Sequence, residues 1–215
     1  MSSRLRRLGI EKVNTLVDIG AHHGGFIDEV KLDYSPSKIW AIEPNPQYLQ
    51  VLHDKGAIVH NCAVGKVNSR RPFYRYKEDQ ASSLLPLLPE VSQRYGFDNP
   101  LVDSFDINVY TLDYLIPDIA PIDLIKIDVQ GSELDVISGG TYMVLHNATN
   151  VIIECNCIPQ YQGGSTITRV IIAMIGLGFK LQHLFAPNCG TDNALPNYDD
   201  RIMLHCDAHF VKAQQ

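Results

Sequence analysis

Short apolar runs rich in β-branched residues alternate along this chain with amphipathic stretches, the pattern of a mostly parallel sheet with helices on both faces. The first run, Thr15–Ile19, stops at Gly20, and residues 26–32 continue with helical spacing. A second run, Lys38–Ile42, ends in Glu43-Pro44. Residues 46–55 then read as a helix, opened by Pro46 at a first-turn position that needs no N–H donor. Residues 57–61 form a third strand. Further on, Ile122–Ile127 and 151–155 read as buried strands, 132–137 and 166–176 as helices, and 179–184 and 202–211 as closing strands. Between Gly65 and Tyr110 the pattern weakens. Residues 72–76 alternate like a strand, whereas 82–106, interrupted by Pro86, Pro89 and Pro100, read as irregular with one helix at most. The fold class expected is α/β with a doubly wound sheet.

Length and charge narrow this picture. The 215 residues suit one domain, 1–215, because a single α/β core extends to roughly 200–250 residues. The net charge is −6 and the basic residues are scattered, apart from Arg4–Arg7 and Arg70-Arg71, which argues against a nucleic-acid partner. Five cysteines without a C-x-x-C pair point to reduced thiols. No segment approaches the ~20 apolar residues of a membrane span, and no apolar run follows Arg4–Arg7, so a cytoplasmic protein is expected. The oligomeric state is not legible.

The candidate chemistry begins at Asp18-Ile19-Gly20-Ala21-His22-His23-Gly24-Gly25, where a strand passes into a helix. Glycine without Cβ lets a ligand lie against the main chain. A nicotinamide dinucleotide would want a glycine where His22 stands, to admit its pyrophosphate, so an NAD-dependent oxidoreductase is the weaker alternative. A nucleoside carrying a cation but no phosphate suits the turn, with Asp18 to meet the charge. Glu43, a little over 20 residues beyond Gly20, stands beside Pro44 where a ribose-binding acid belongs. Asn61, Cys62 and Ala63, after the third strand, would flank an adenine. The plainer reading of the same residues is a tight turn and a capping acid.

Four blocks in order carry a resemblance. They are Val17-Asp18-Ile19-Gly20-Ala21, Ile42-Glu43-Pro44-Asn45-Pro46, Thr111-Leu112-Asp113, and the long run from Asp123 to Leu134 that contains Lys126, Asp128, Gln130, Gly131 and Glu133, with Ile152-Ile153-Glu154 after them. With these blocks the sequence resembles the FkbM-type methyltransferases. The resemblance implies a Rossmann-like methyltransferase sheet, mostly parallel with an antiparallel C-terminal strand. It also implies S-adenosylmethionine as cofactor, bound by Asp18, Gly20, Ala21, His22, Gly24, Glu43, Pro44, Asn61, Cys62, Ala63 and Asp128, and methylation of a hydroxyl on a glycan, polyketide or lipid. Two positions depart from the family pattern: His22-His23-Gly24 replaces Asn-x-Gly, and Gln130 replaces a glutamate. The second departure removes a carboxylate and supports a third reading, a non-catalytic binding module.

Methyl transfer to an alcohol needs a positioned oxygen and a route for its proton. Asp128, at the end of a central strand, is the leading base or metal ligand. Lys126 shares its side of the strand, and Glu154 ends the neighbouring one. Asp128 and Glu154 either share an Mg²⁺ or Mn²⁺ ion or act without metal. Glu133 follows on the helical turn, and the plainer reading is that it caps the helix while Lys126 pairs with Glu154 structurally. His22 and His23 are alternative bases, while His183, His205 and His209 reach the site only if the closing strands curl over it. Ser82, Ser83 and Gln130 are placed against the acceptor, a small molecule or glycan whose ring would stack on Tyr74, Tyr76, Tyr95 or Phe97.

Overall fold

The protein is described by a computed structural model over residues 4–91, 99–116, 121–142, 144–190 and 202–213. In chain order its elements are α1 (Arg4–Arg7), β1 (Thr15–Ile19), α2 (Gly25–Asp33), β2 (Lys38–Ile42), α3 (Leu49–Asp54), β3 (Ile58–His60), β4 (Ala63–Val64), β5 (Ser69–Tyr76) and β6 (Leu101–Tyr110). There follow α4 (Leu112–Leu115), β7 (Ile122–Ile127), α5 (Glu133–Gly139), β8 (Ala148–Asn156), α6 (Ile167–Gly176), β9 (Phe179–Gly190) and β10 (Ile202–Lys212).

A seven-stranded sheet runs in the order β3-β2-β1-β7-β8-β10-β9. Its first five strands are parallel, and β10 lies antiparallel to both β8 and β9. The antiparallel C-terminal strand that the resemblance implies is therefore present. The central strands read as continuous apolar runs because both faces are covered. Leu16, Leu124 and Ile152 project to the face held by Ile27 and Val30 of α2 and Leu52 of α3. Val17, Ile125 and Val151 project to the other, against Val136 of α5 and Val170 and Met174 of α6. Chain order reverses at β1, which has β2 on one side and β7 on the other, and the crevice beyond such a switch point is where α/β sheets hold ligands.

The structure departs from the expected elements mainly between residues 65 and 110. The irregular 82–106 reading is overturned at its end, where β6 is a ten-residue strand paired antiparallel with β5 and flanked by β4 in a second sheet. Leu101 and Val102 are exposed and most of β6 faces outward, so the apolar alternation that betrays a strand is missing. Phe73, Leu84, Ile107 and Val109 form a small core beneath this sheet. The helix expected over 46–55 opens as a 3₁₀ turn, Pro46–Tyr48, with the Asn45 side chain accepting from the Gln47 N–H before α3 begins. All five cysteines are free thiols, and among the described residues no helix is long and apolar enough to cross a membrane.

Candidate active site

A cavity of about 280 Å³ opens at the carboxyl ends of β1, β2 and β7. Its floor is the glycine turn. Gly20 has φ 77°, and a Cβ there would stand 1.8 Å from the carbonyl oxygen of Asp128. The missing side chain thus lets β1 and β7 close together and brings Asp128 to the cavity. Gly24, φ 79°, precedes α2 and packs on Lys55 and Leu52 outside the cavity wall, so its part is to start the helix. Asp18 lines the cavity at 1 % exposure with Oδ2 buried and unbonded, and burial pushes its carboxyl up to about 7 against the nearby Lys126 charge. Glu43 accepts the N–H of His22 and the N–H of Asn45, each at 2.7 Å. Burial outweighs those two bonds and raises it to about 7 as well. Asn61 donates to the carbonyls of Glu43 and Pro44, at 3.0 and 2.9 Å, and so fixes the loop after β2 from behind without lining the cavity.

Strand register gathers the charged groups. Asp18 pairs with Lys126, which pairs with Ile152, and Glu154 two residues on opposes Asp207 of β10. These side chains share one face of the sheet. Lys126 donates to Asp128 Oδ2 at 3.2 Å and to Asp207 Oδ1 at 3.5 Å. The Gln130 amide nitrogen donates to Asp128 Oδ1 (2.7 Å) and to Glu154 Oε2, while its oxygen accepts from the Tyr161 hydroxyl at 2.8 Å. A glutamate at 130 would face two carboxylates with a third; the amide bridges them instead. Gln130 holds a left-handed φ of 57°, pinned by Ser83 Oγ, which donates to its carbonyl at 2.7 Å. Ser83 is buried at 1 % exposure and therefore positions Gln130 rather than meeting an acceptor, whereas Ser82 does line the cavity.

This wiring splits the two carboxyls. Burial pushes Asp128 up, but the Lys126 ammonium and the hydrogen bonds around it bring the group below its ordinary range. Burial and the Asp128 charge push Glu154 upward despite its contact with His205, whose Nδ1 lies 3.3 Å from Glu154 Oε1. Burial opposes a charge on His205, yet the Glu154 bond raises it. The arrangement does not suit a divalent ion at Asp128 and Glu154, because all four carboxylate oxygens already face Gln130, Lys126 or His205. Among the described residues no group of three or more His, Cys, Asp or Glu side chains is placed to hold a metal ion. Glu133 is a clamp: it accepts the Gly131 N–H at 2.8 Å and the Ser165 hydroxyl, at 1 % exposure.

A second cavity, about 270 Å³, adjoins the first and shares Gln80, Gln130 and Glu154 with it. Its wall carries the amides of Asn99, Asn156, Gln160 and Asn188 beside Tyr161, His205 and Glu78, and apolar Ala81, Leu87 and Val91 complete it.

The sequence profile of the methyltransferase FkbM domain matches residues 18–181. The chain belongs to the FkbM methyltransferase family. It is 28% identical over 171 residues to "Methyltransferase 1" of Beauveria bassiana (strain ARSEF 2860), covering 71% of this chain and 69% of that one. The crystal structure of methyltransferase FkbM from Methylobacillus flagellatus KT superposes with TM-score 0.51 at 17% identity over 91% of this chain, which spans only 43% of that protein. Precorrin-6y C5,15-methyltransferase from Geobacter metallireducens GS-15 shares the fold at TM-score 0.51 and 12% identity, over 97% of this chain and 85% of that one.

Within this FkbM-family fold, Asp18, Gly20, Ala21, His22, Glu43, Pro44, Cys62, Ala63, Lys126, Asp128, Gln130 and Glu154 all line the first cavity. Of the proposed ring-stacking aromatics, Tyr76 is buried with its hydroxyl accepting the Leu87 N–H, Tyr74 lines neither cavity, and Tyr95 and Phe97 lie outside the described residues. Phe26 and Phe73, with the rings of His22 and His23, are the aromatics that reach the first cavity. His209, buried and bonded to Asn150, is structural. Sequence reasoning did not single out Asp79, Gln80, Asn99, Asn156 or Gln160. Their one sequence signal is placement near strand ends. His205 is the exception, since strand alternation alone sets it on the Glu154 face once β10 is paired with β8.

Proposed function

We propose that the protein is an S-adenosylmethionine-dependent O-methyltransferase acting on a hydroxyl of a sugar, glycan or related natural product. The observation that carries this reading is the pair of adjoining cavities whose common wall is Gln80, Gln130 and Glu154. The first suits the cofactor: Asp18 offers an unbonded buried carboxyl oxygen to a cation, and Glu43, anchored by two N–H groups, keeps lone pairs for ribose hydroxyls. The second suits a neutral hydroxylated acceptor, because its described wall contains amides and no lysine or arginine for a phosphate.

When bound, the sulfonium supplies the methyl group; the acceptor oxygen bonds to that carbon as the carbon–sulfur bond breaks and sulfur keeps the electron pair. The hydroxyl proton passes to the Glu154–His205 pair. Asp128 is the poorer base, since Lys126 holds it ionised and a depressed carboxyl has little appetite for a proton. Its role is to fix Gln130 and, through it, Glu154. Incubation with methyl-labelled S-adenosylmethionine and a panel of sugars and polyols should transfer label to a hydroxyl. Cofactor binding without transfer to any hydroxyl would sink the reading in favour of a binding module.

A further inference from the structure

Gln160 is 2 % exposed, and both its amide oxygen and its amide nitrogen are buried without a hydrogen-bond partner. A fold rarely leaves both ends of one buried amide unpaired unless something else completes them. The residue lines the second cavity together with Glu154 and His205. It is also held in place, since its carbonyl accepts the Leu88 N–H at 2.9 Å and the next residue, Tyr161, has its hydroxyl within reach of Ala81 O and Gln130 Oε1. A carboxamide presents one acceptor and one donor side by side in a plane, which matches two neighbouring hydroxyls, one donating and one accepting.

We propose that Gln160 is the specificity residue of the acceptor site and that the acceptor carries a vicinal pair of hydroxyls, as in a sugar ring or cyclitol. The inference rests on the hydroxyl-methyltransferase reading. The amide grips the diol edge in the second cavity while a further hydroxyl is presented towards Glu154. A simple monohydroxyl acceptor would leave half of the amide unpaired. Sites built to bond a hydroxyl reject analogues lacking it more strongly than apolar pockets reject an added group.

The test uses the whole protein saturated with S-adenosylhomocysteine. A panel of methyl glycosides and cyclitols, each with its monodeoxy counterpart, and cyclohexanol as a monohydroxyl control, is screened by saturation-transfer NMR; turnover with labelled S-adenosylmethionine is measured in parallel. The expected result is binding of at least one diol, weakened about tenfold or more by removing one hydroxyl or by Gln160→Leu, the two losses not adding. Gln160→Leu should keep S-adenosylhomocysteine affinity and raise the unfolding temperature, because it removes an orphaned polar group. Diol binding that Gln160→Leu weakens, with no transfer to any hydroxyl, keeps Gln160 as the diol-recognition residue of this cavity and defeats the methyltransferase reading, and with it the diol's role as acceptor. Transfer to a monohydroxyl compound alone, or diol binding indifferent to Gln160→Leu, overturns the inference and leaves that reading standing. Binding of no panel member overturns the inference too, leaving Gln160 to ordered water.

Discussion

The two cavities are made from different kinds of sequence. The first is built around the turns that follow three adjacent parallel strands, so Asp18 to Phe26, Gly24 excepted, and Ile42 to Asn45 supply nearly half of its wall in two short stretches. The second draws Glu78, Asn99, Gln160 and His205 from four separate segments, joined by the second sheet, the loop after β8 and the antiparallel β10. A site for a constant ligand can be written into local turns of the scaffold, while a site for a variable one is carried on connections and edge strands. If so, damage to the first should reach the fold itself, and damage to the second should reach selectivity and rate.

The largest effect is expected at Gly20. Alanine there would set a methyl 1.8 Å from the Asp128 carbonyl on a backbone at φ 77°, combining overpacking with left-handed strain. A loss of about 4 kcal/mol is expected, measured by thermal or urea unfolding. Near wild-type stability for Gly20→Ala would mean that β1 and β7 are not clamped through this contact. Next comes Lys126→Met. It leaves Asp128 and Asp207 facing each other without the buried ammonium that joins them, at a cost of about 3 kcal/mol in unfolding experiments. An unchanged unfolding midpoint would show that the two acids are solvated independently.

Glu154→Gln should separate the two cavities functionally. Turnover is expected to fall about a hundredfold, equivalent to about 2.7 kcal/mol of transition-state stabilisation, while S-adenosylmethionine binding by calorimetry stays within about twofold. Equal losses in cofactor affinity and turnover would place Glu154 in the first cavity's chemistry and return the proton to Asp128.

These contrasts also explain what could be read from the chain. The parallel strands were legible because burial on both faces makes them uninterrupted apolar runs, and the glycine turn because Asp18 and Gly20 stand together in sequence where a strand gives way to a helix. Lys126, Asp128 and Glu154 followed from strand alternation. The β5–β6 ladder was illegible from hydrophobicity because its outer face is polar and it is held by main-chain pairing and by ion pairs such as Arg75–Asp103. Gln160 left no trace, since an amide in a proline-containing loop reads as solvated until that loop pairs with residues 86–88 and is buried. Gly24 and Asn61 illustrate the opposite error: they stand in the right turns but face the scaffold, where their hydrogen bonds and packing shape the cavity from outside.

The smaller of the two expected functional effects, on cofactor affinity, is also the one that sharpens the cofactor side most. Asp18 has an ordinary carboxyl value of 3.8 and is pushed to about 7 in the folded chain, first by burial, with Lys126 opposing and Asp128 and Glu43 adding to it. Between those two values the folded state keeps a proton that the unfolded state releases, so this group's contribution to stability declines as pH rises from about 4 to about 7 and is level above. Asp18→Asn removes the titration. Its unfolding midpoint should therefore gain on the wild type across that window, with the two curves parallel on either side. A cationic ligand reverses the sign for binding, because only the ionised carboxyl pairs with it. Wild-type affinity for S-adenosylmethionine should strengthen roughly tenfold between pH 6 and 8, in step with the ionised fraction of a group titrating near 7. The Asp18→Asn protein should show a flatter profile over the same range, retaining only what Glu43, also raised to about 7, contributes through the ribose side. Identical profiles for the two proteins would remove Asp18 from the charge recognition of the cofactor and leave that task to the backbone of the turn.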